Sequence, residues 1–117
     1  MQYRPGTHII ATFKTQQEQL LQKAGSFRAL INSLVNEHGL EKLGEVYHDF
    51  SPSGFTAVIC LSESHISIHT WPEHQLVNLD IYLSNFERNN NGTVAAVYEA
   101  CKTFFSAEVL QQQTITR

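Results

Sequence analysis

Basic residues, cysteines and long apolar runs are all scarce in this sequence, and each scarcity closes off a class of function. Eight lysines and arginines stand against eleven aspartates and glutamates, a formal charge of -3, so nothing invites nucleic acid or an anionic membrane surface. No stretch of about 18 apolar residues is present to cross a membrane. The opening "MQYRPGTHIIATF" also lacks the apolar run of a secretory signal, so a cytoplasmic protein without a membrane partner is expected. Two cysteines occur, Cys60 and Cys101, with no CxxC spacing to suggest zinc or redox chemistry. Their apolar neighbourhoods, "TAVICLS" and "VYEACKTFF", predict buried free thiols. Repeats, linkers and low-complexity tracts are missing as well. A length of 117 residues allows one core, so residues 1–117 are expected to form a single domain.

What is present alternates between two periodicities. "HIIATF" has the β-branched content of a first strand, and Thr15 with Glu18 has the spacing of a capping box opening a glutamine-rich helical stretch that Gly25 interrupts. Phe27, Leu30, Ile31, Leu34 and Val35 then form one apolar helical stripe, with Gly39 as its C′ residue. "LGEVYHDF", "FTAVICL", "HISIHTW" and "LVNLDIYL" follow as strands, and links as short as "SPSG", "SES" and "PEHQ" favour antiparallel neighbours. After the polar loop "NFERNNNG", Val94, Val97, Tyr98, Cys101 and Phe105 mark a second helix over 93–105, and "EVLQQQTI" is a last strand. The order predicts an α+β two-layer sandwich, a mostly antiparallel sheet with two helices on one face.

The segment "LSESHISIHTWPE", residues 61–73, is overloaded with polar groups for a strand. His65 and His69 alternate with Ile66 and Ile68, which is the strand period. Two imidazoles four residues apart on a strand lie about 13 Å apart and cannot share an ion, so no metal site is expected. Ser64 and His69 differ by an odd number of residues. On a regular strand they face opposite sides about 16 Å apart, so either a sharp bend intervenes or a second copy of the chain supplies the histidine.

"ESHISIHTWPE", preceded by "GTHII" and "FSPSGFTAVICLS", closely resembles the short bacterial and archaeal S-adenosylmethionine decarboxylase proenzymes, which depend on a pyruvoyl group. The resemblance runs from about Gly6 to Tyr82. It implies that Ser64 attacks the carbonyl of Glu63, that the resulting ester is eliminated, and that the chain divides into a β chain of residues 1–63 and an α chain of residues 64–117. Ser64 then becomes the pyruvoyl cofactor, which forms a Schiff base with the substrate. By the same resemblance His69 and Thr56, which stands where the family has a serine, act in processing on Ser64 of a partner subunit. A homodimer with shared active sites is implied. Phe50 matches the aromatic that stacks on adenine, and Glu73 a ribose-hydroxyl ligand.

One position departs from the pattern. "DIYLSN" aligns with the turn carrying the family's proton-donor cysteine and places Ser84 there. A serine hydroxyl is a far weaker acid than a thiol, whose usual pKa is about 8.5. The leading expectation is therefore a decarboxylase of S-adenosylmethionine that supplies aminopropyl groups for spermidine. Decarboxylation of arginine or ornithine, or a non-catalytic regulatory homologue, stays open at this point.

Overall fold

The computed structural model describes residues 3–86 and 88–117. Strand β1 (Thr7–Lys14) leads through a short helix α1 (Gln19–Gln22) to α2 (Gly25–Glu37). Strands β2 (Lys42–Asp49), β3 (Phe55–Leu61), β4 (Ser64–Trp71) and β5 (Leu76–Leu83) follow. Helix α3 (Asn91–Phe104) and strand β6 (Glu108–Thr116) complete the described fold. The six strands form one sheet in the order β2-β3-β4-β5-β1-β6, and every neighbouring pair is antiparallel. The expected α+β two-layer architecture is the one observed.

Strict alternation sends one set of side chains to the helical layer. Ile9, Ala11 and Phe13 of β1, Phe55, Ala57 and Ile59 of β3, and Ile66 and Ile68 of β4 are buried there against Phe27, Ile31 and Leu34 of α2 and Val94, Val97 and Cys101 of α3. Phe27 anchors the layer, its ring lying 5.9 Å from Phe55 and 6.2 Å from Phe105. Truncating such a ring costs about 3–5 kcal/mol. Helix α2 closes at Gly39, whose φ of 62° lets Leu40 N–H reach the Val35 carbonyl at 2.9 Å, a Schellman arrangement.

Three local expectations are corrected. Thr15 and Glu18 do not build a capping box, because the Thr15 hydroxyl donates to the Phe105 carbonyl while accepting from Gln17 N–H, and α1 has no side-chain cap. Gly25 starts α2 rather than interrupting a longer helix, so the described residues form three α-helices instead of two. Cys101 is buried, but Cys60 is exposed. Its neighbours Ile59 and Leu61 point into the core, and strand alternation turns Cys60 to the other face.

Among the described residues no helix covers that other face. Val46, Val58 and Trp71 are 64%, 44% and 46% exposed on it, an apolar content that a sheet face open to water does not need.

Candidate active site

The predicted site residues fall into two groups at opposite ends of β3 and β4. At one end the strands are joined by a two-residue loop, Ser62 and Glu63, since Leu61 pairs with Ser64. Loops of this length usually place positive φ on one or both of their central residues. Here the positive φ falls on Ser64, at 135°, in a region that L-residues avoid at a cost of order 1–3 kcal/mol. The strained residue is the one that follows the Glu63–Ser64 peptide bond.

The carbonyl of that bond is held. Ser84, in the turn leaving β5, donates its backbone N–H to the Glu63 carbonyl oxygen at 2.8 Å. Gly6 packs against this turn so closely that any Cβ there would clash with the Leu83 carbonyl oxygen. The Glu63 side chain is clamped as well. Arg88 donates to its two oxygens at 2.9 and 3.1 Å, Asn90 Nδ2 donates to Oε2, and Arg88 also reaches the carbonyls of His38 and Gly39. Burial pushes the Glu63 carboxyl up, but the hydrogen bonds from Arg88 and Asn90 outweigh it and hold the group below the ordinary carboxylate value. Neither Arg88 nor Asn90 was identified by sequence. The only signal was a polar loop of unassigned role, and Asn90 is 1% exposed, which no polar run foretells.

The second group gathers at the far end. The Thr56 hydroxyl and His69 Nδ1 are 2.9 Å apart across the paired strands. They line a cavity of about 360 Å³ together with Phe50, Trp71 and Glu73. Phe50 is 50% exposed, so it is a surface aromatic and not a core residue. The loop is shaped by Gly54, whose φ of 100° admits the close approach of Pro72.

Ser64 and His69 stand five residues apart on one strand, about 16 Å at the usual rise. The expected alternation, however, is broken at Ser64 by its positive φ. Both residues therefore border one cavity of about 610 Å³ on the open face, lined also by Cys60, His65, Tyr82 and Arg117. Ser84 borders a different cavity, of about 550 Å³, with Glu63, Phe86 and Arg88.

A serine in strained backbone, preceded by a carbonyl that is already hydrogen-bonded, suits an acyl shift from nitrogen to the serine oxygen. A threonine–histidine pair suits proton transfer. Cys101 suits neither, since burial pushes its thiol up to about 12. No helix among the described residues is long and apolar enough to cross a membrane.

Comparison with known proteins yields one family. Residues 7–117 match the family model described as S-adenosylmethionine decarboxylase. The S-adenosylmethionine decarboxylase proenzyme of Archaeoglobus fulgidus is 46% identical over 77 residues, 66% of this chain and 69% of that protein. The proenzyme of Aquifex aeolicus is 40% identical over 77 residues, again 66% of this chain but 57% of the relative, less than two thirds of its length. The crystal structure of the adenosylmethionine decarboxylase from Aquifex aeolicus superposes with a TM-score of 0.85 at 28% identity, covering 99% of this chain and 92% of that one.

Proposed function

The chain belongs to the S-adenosylmethionine decarboxylase family, and from that premise we propose that residues 1–117 act as one self-processing domain, a pyruvoyl-dependent decarboxylase of S-adenosylmethionine in the cytoplasm. Its product would supply aminopropyl groups for spermidine. The carrying observation is the Glu63–Ser64 bond, with φ of 135° at Ser64 and the Ser84 N–H on the Glu63 carbonyl.

In this reading the Ser64 hydroxyl attacks the Glu63 carbonyl and the peptide nitrogen becomes a free amine. The Ser84 N–H, at 2.8 Å, meets the charge that develops on the carbonyl oxygen. Elimination then releases the Glu63 carboxylate, and water replaces the nitrogen of residue 64, which leaves as ammonia. The residues present fit the resulting pyruvoyl group: Ser64 opens onto the 610 Å³ cavity, where a substrate has room. Once formed, that group supplies a carbonyl that takes the substrate's amino group and draws off electrons as carbon dioxide leaves.

The proton-transfer pair and the adenosine contacts come from a second copy. Because one chain carries its two groups at opposite ends of β3 and β4, a twofold, face-to-face pairing of open sheet faces sets Ser64 against Thr56 and His69 of the partner subunit. Phe50 of the partner subunit then stacks on adenine, and Glu73 of the partner subunit accepts from the ribose hydroxyls. The exposed Val46, Val58 and Trp71 support this pairing.

Denaturing mass spectrometry tests the reading. Two fragments divided between residues 63 and 64, with a pyruvoyl end on the second, are expected, followed by carbon dioxide release from carboxyl-labelled S-adenosylmethionine. An intact chain after prolonged incubation would sink it. The relatives described above are S-adenosylmethionine decarboxylase proenzymes by name, so neither arginine, ornithine nor a regulatory role is favoured.

A further inference from the structure

Decarboxylation leaves an electron pair on the substrate carbon, and some acid must place a proton there. Ser84 is poorly suited on two counts. It is a hydroxyl, and its side chain borders the Glu63–Arg88 cavity, whereas Ser64 borders the open-face cavity. Cys60 meets both requirements. It is a thiol that the single chain leaves exposed, and it borders the same 610 Å³ cavity as Ser64.

Nor does Cys60 stand alone. Strand pairing sets Cys60 opposite His65, His65 opposite Tyr82, and Tyr82 opposite His8, so four ionisable or polar side chains form one row across four adjacent strands. Paired residues on neighbouring strands have Cβ atoms about 4.5–5.5 Å apart, so Cys60 and His65 are side-by-side neighbours on one face. The His8 ring packs 6.0 Å from His65 and 5.3 Å from Tyr82. It is 7% exposed, and its Nε2 is buried without a hydrogen-bond partner. A buried polar nitrogen left open behind two cavity-lining rings is costly, and a proton path gives it a use.

Resting on the decarboxylase reading, we propose that Cys60, and not Ser84, delivers the proton to the substrate carbon that carbon dioxide has left, and that His65 returns a proton to Cys60 from solvent. The bond to the carboxylate breaks and its electron pair stays on carbon. The thiol hydrogen forms the new C–H bond, and the thiolate is reprotonated, so one solvent proton is consumed for each carbon dioxide released.

Failure of this delivery has a chemical signature. Protonation on the carbon derived from Ser64 leaves the nitrogen on the chain after hydrolysis, giving an α chain headed by alanine and an aldehyde in place of the amine. In Cys60→Ala, cleavage between Glu63 and Ser64 should proceed as in the parent chain. Turnover should fall about a hundredfold, and mass spectrometry after incubation with S-adenosylmethionine should find many more alanine-headed α chains per turnover. Should the alanine variant fail to fold, Cys60→Ser carries the same expectation, because a hydroxyl of similar shape is a far weaker acid. A cleaved Cys60 variant that turns over at the parent rate with no excess alanine overturns the assignment. A parent chain that never cleaves overturns the reading beneath it, and its intact mass tells the two failures apart.

Discussion

Ser84 touches Glu63 through its backbone, donating its N–H to the Glu63 carbonyl oxygen at 2.8 Å. This contact is indifferent to the side chain at position 84. Ser84→Ala is therefore expected to cleave between residues 63 and 64 with little change, while Ser84→Pro, which has no N–H to give, should stay intact on a denaturing gel. Ser84→Cys, which restores a thiol at the turn, should give no gain in turnover if Cys60 is the donor.

Thr56 and His69 lie 2.9 Å apart but far along the strand from Ser64, so processing should be shared between copies. Ser64→Ala and His69→Ala are each expected to remain uncleaved when purified alone. Mixed, refolded dimers unite the sound Ser64 of one chain with the sound His69 of the other, and the His69→Ala chain should then split. Persistence of both intact masses would exclude a shared site.

Phe50 is 50% exposed at the mouth of the cavity that also holds Glu73. Neither residue belongs to the cleavage group. Phe50→Ala should cleave normally and raise KM for S-adenosylmethionine about tenfold, in keeping with roughly 1–3 kcal/mol for a base stacked on an aromatic ring. Glu73→Gln should likewise act on KM more than on kcat. A kcat effect alone in both variants would argue against adenosine binding here.

The Glu63 carboxyl sits below its ordinary value of 4.5 because Arg88 and Asn90 hold the ionised form. Its contribution to stability is complete above the unfolded value and is lost as pH falls through the lower folded one. Arg88→Ala in a Ser64→Ala background, which prevents cleavage, should cost no more than about 1 kcal/mol near neutral pH, because Arg88 is partly exposed. The deficit should shrink in acid. A deficit that grows as pH falls would contradict the clamp.

Much of the architecture was legible in the sequence because burial follows backbone period. "FTAVICL" reads as a strand, and in the structure Phe55, Ala57, Ile59 and Leu61 face inward by alternation. That alternation turns Cys60 outward, whereas its apolar neighbours suggested a buried thiol; period is the better guide to facing than composition. The capping-box expectation failed for a different reason. The Thr15 hydroxyl is taken by the carbonyl of Phe105, 90 residues away, and no local pattern reports such a partner.

By itself the sequence determined the fold class, through its strand and helix periods, and it pointed to the chemistry proposed at Ser64 through the resemblance of its "ESHISIHTWPE" segment. Tertiary structure decided which side chains share a space. It put Ser64 in one cavity with Cys60 and His65, and Ser84 in another with Arg88. It also broke the alternation of facing at Ser64 by a single positive φ, and it bound Glu63 to a loop 25 residues away. The physical reason is that periodicity fixes which face a side chain takes, while proximity across strands depends on register, turn geometry and loop closure, which are settled when the whole sheet assembles.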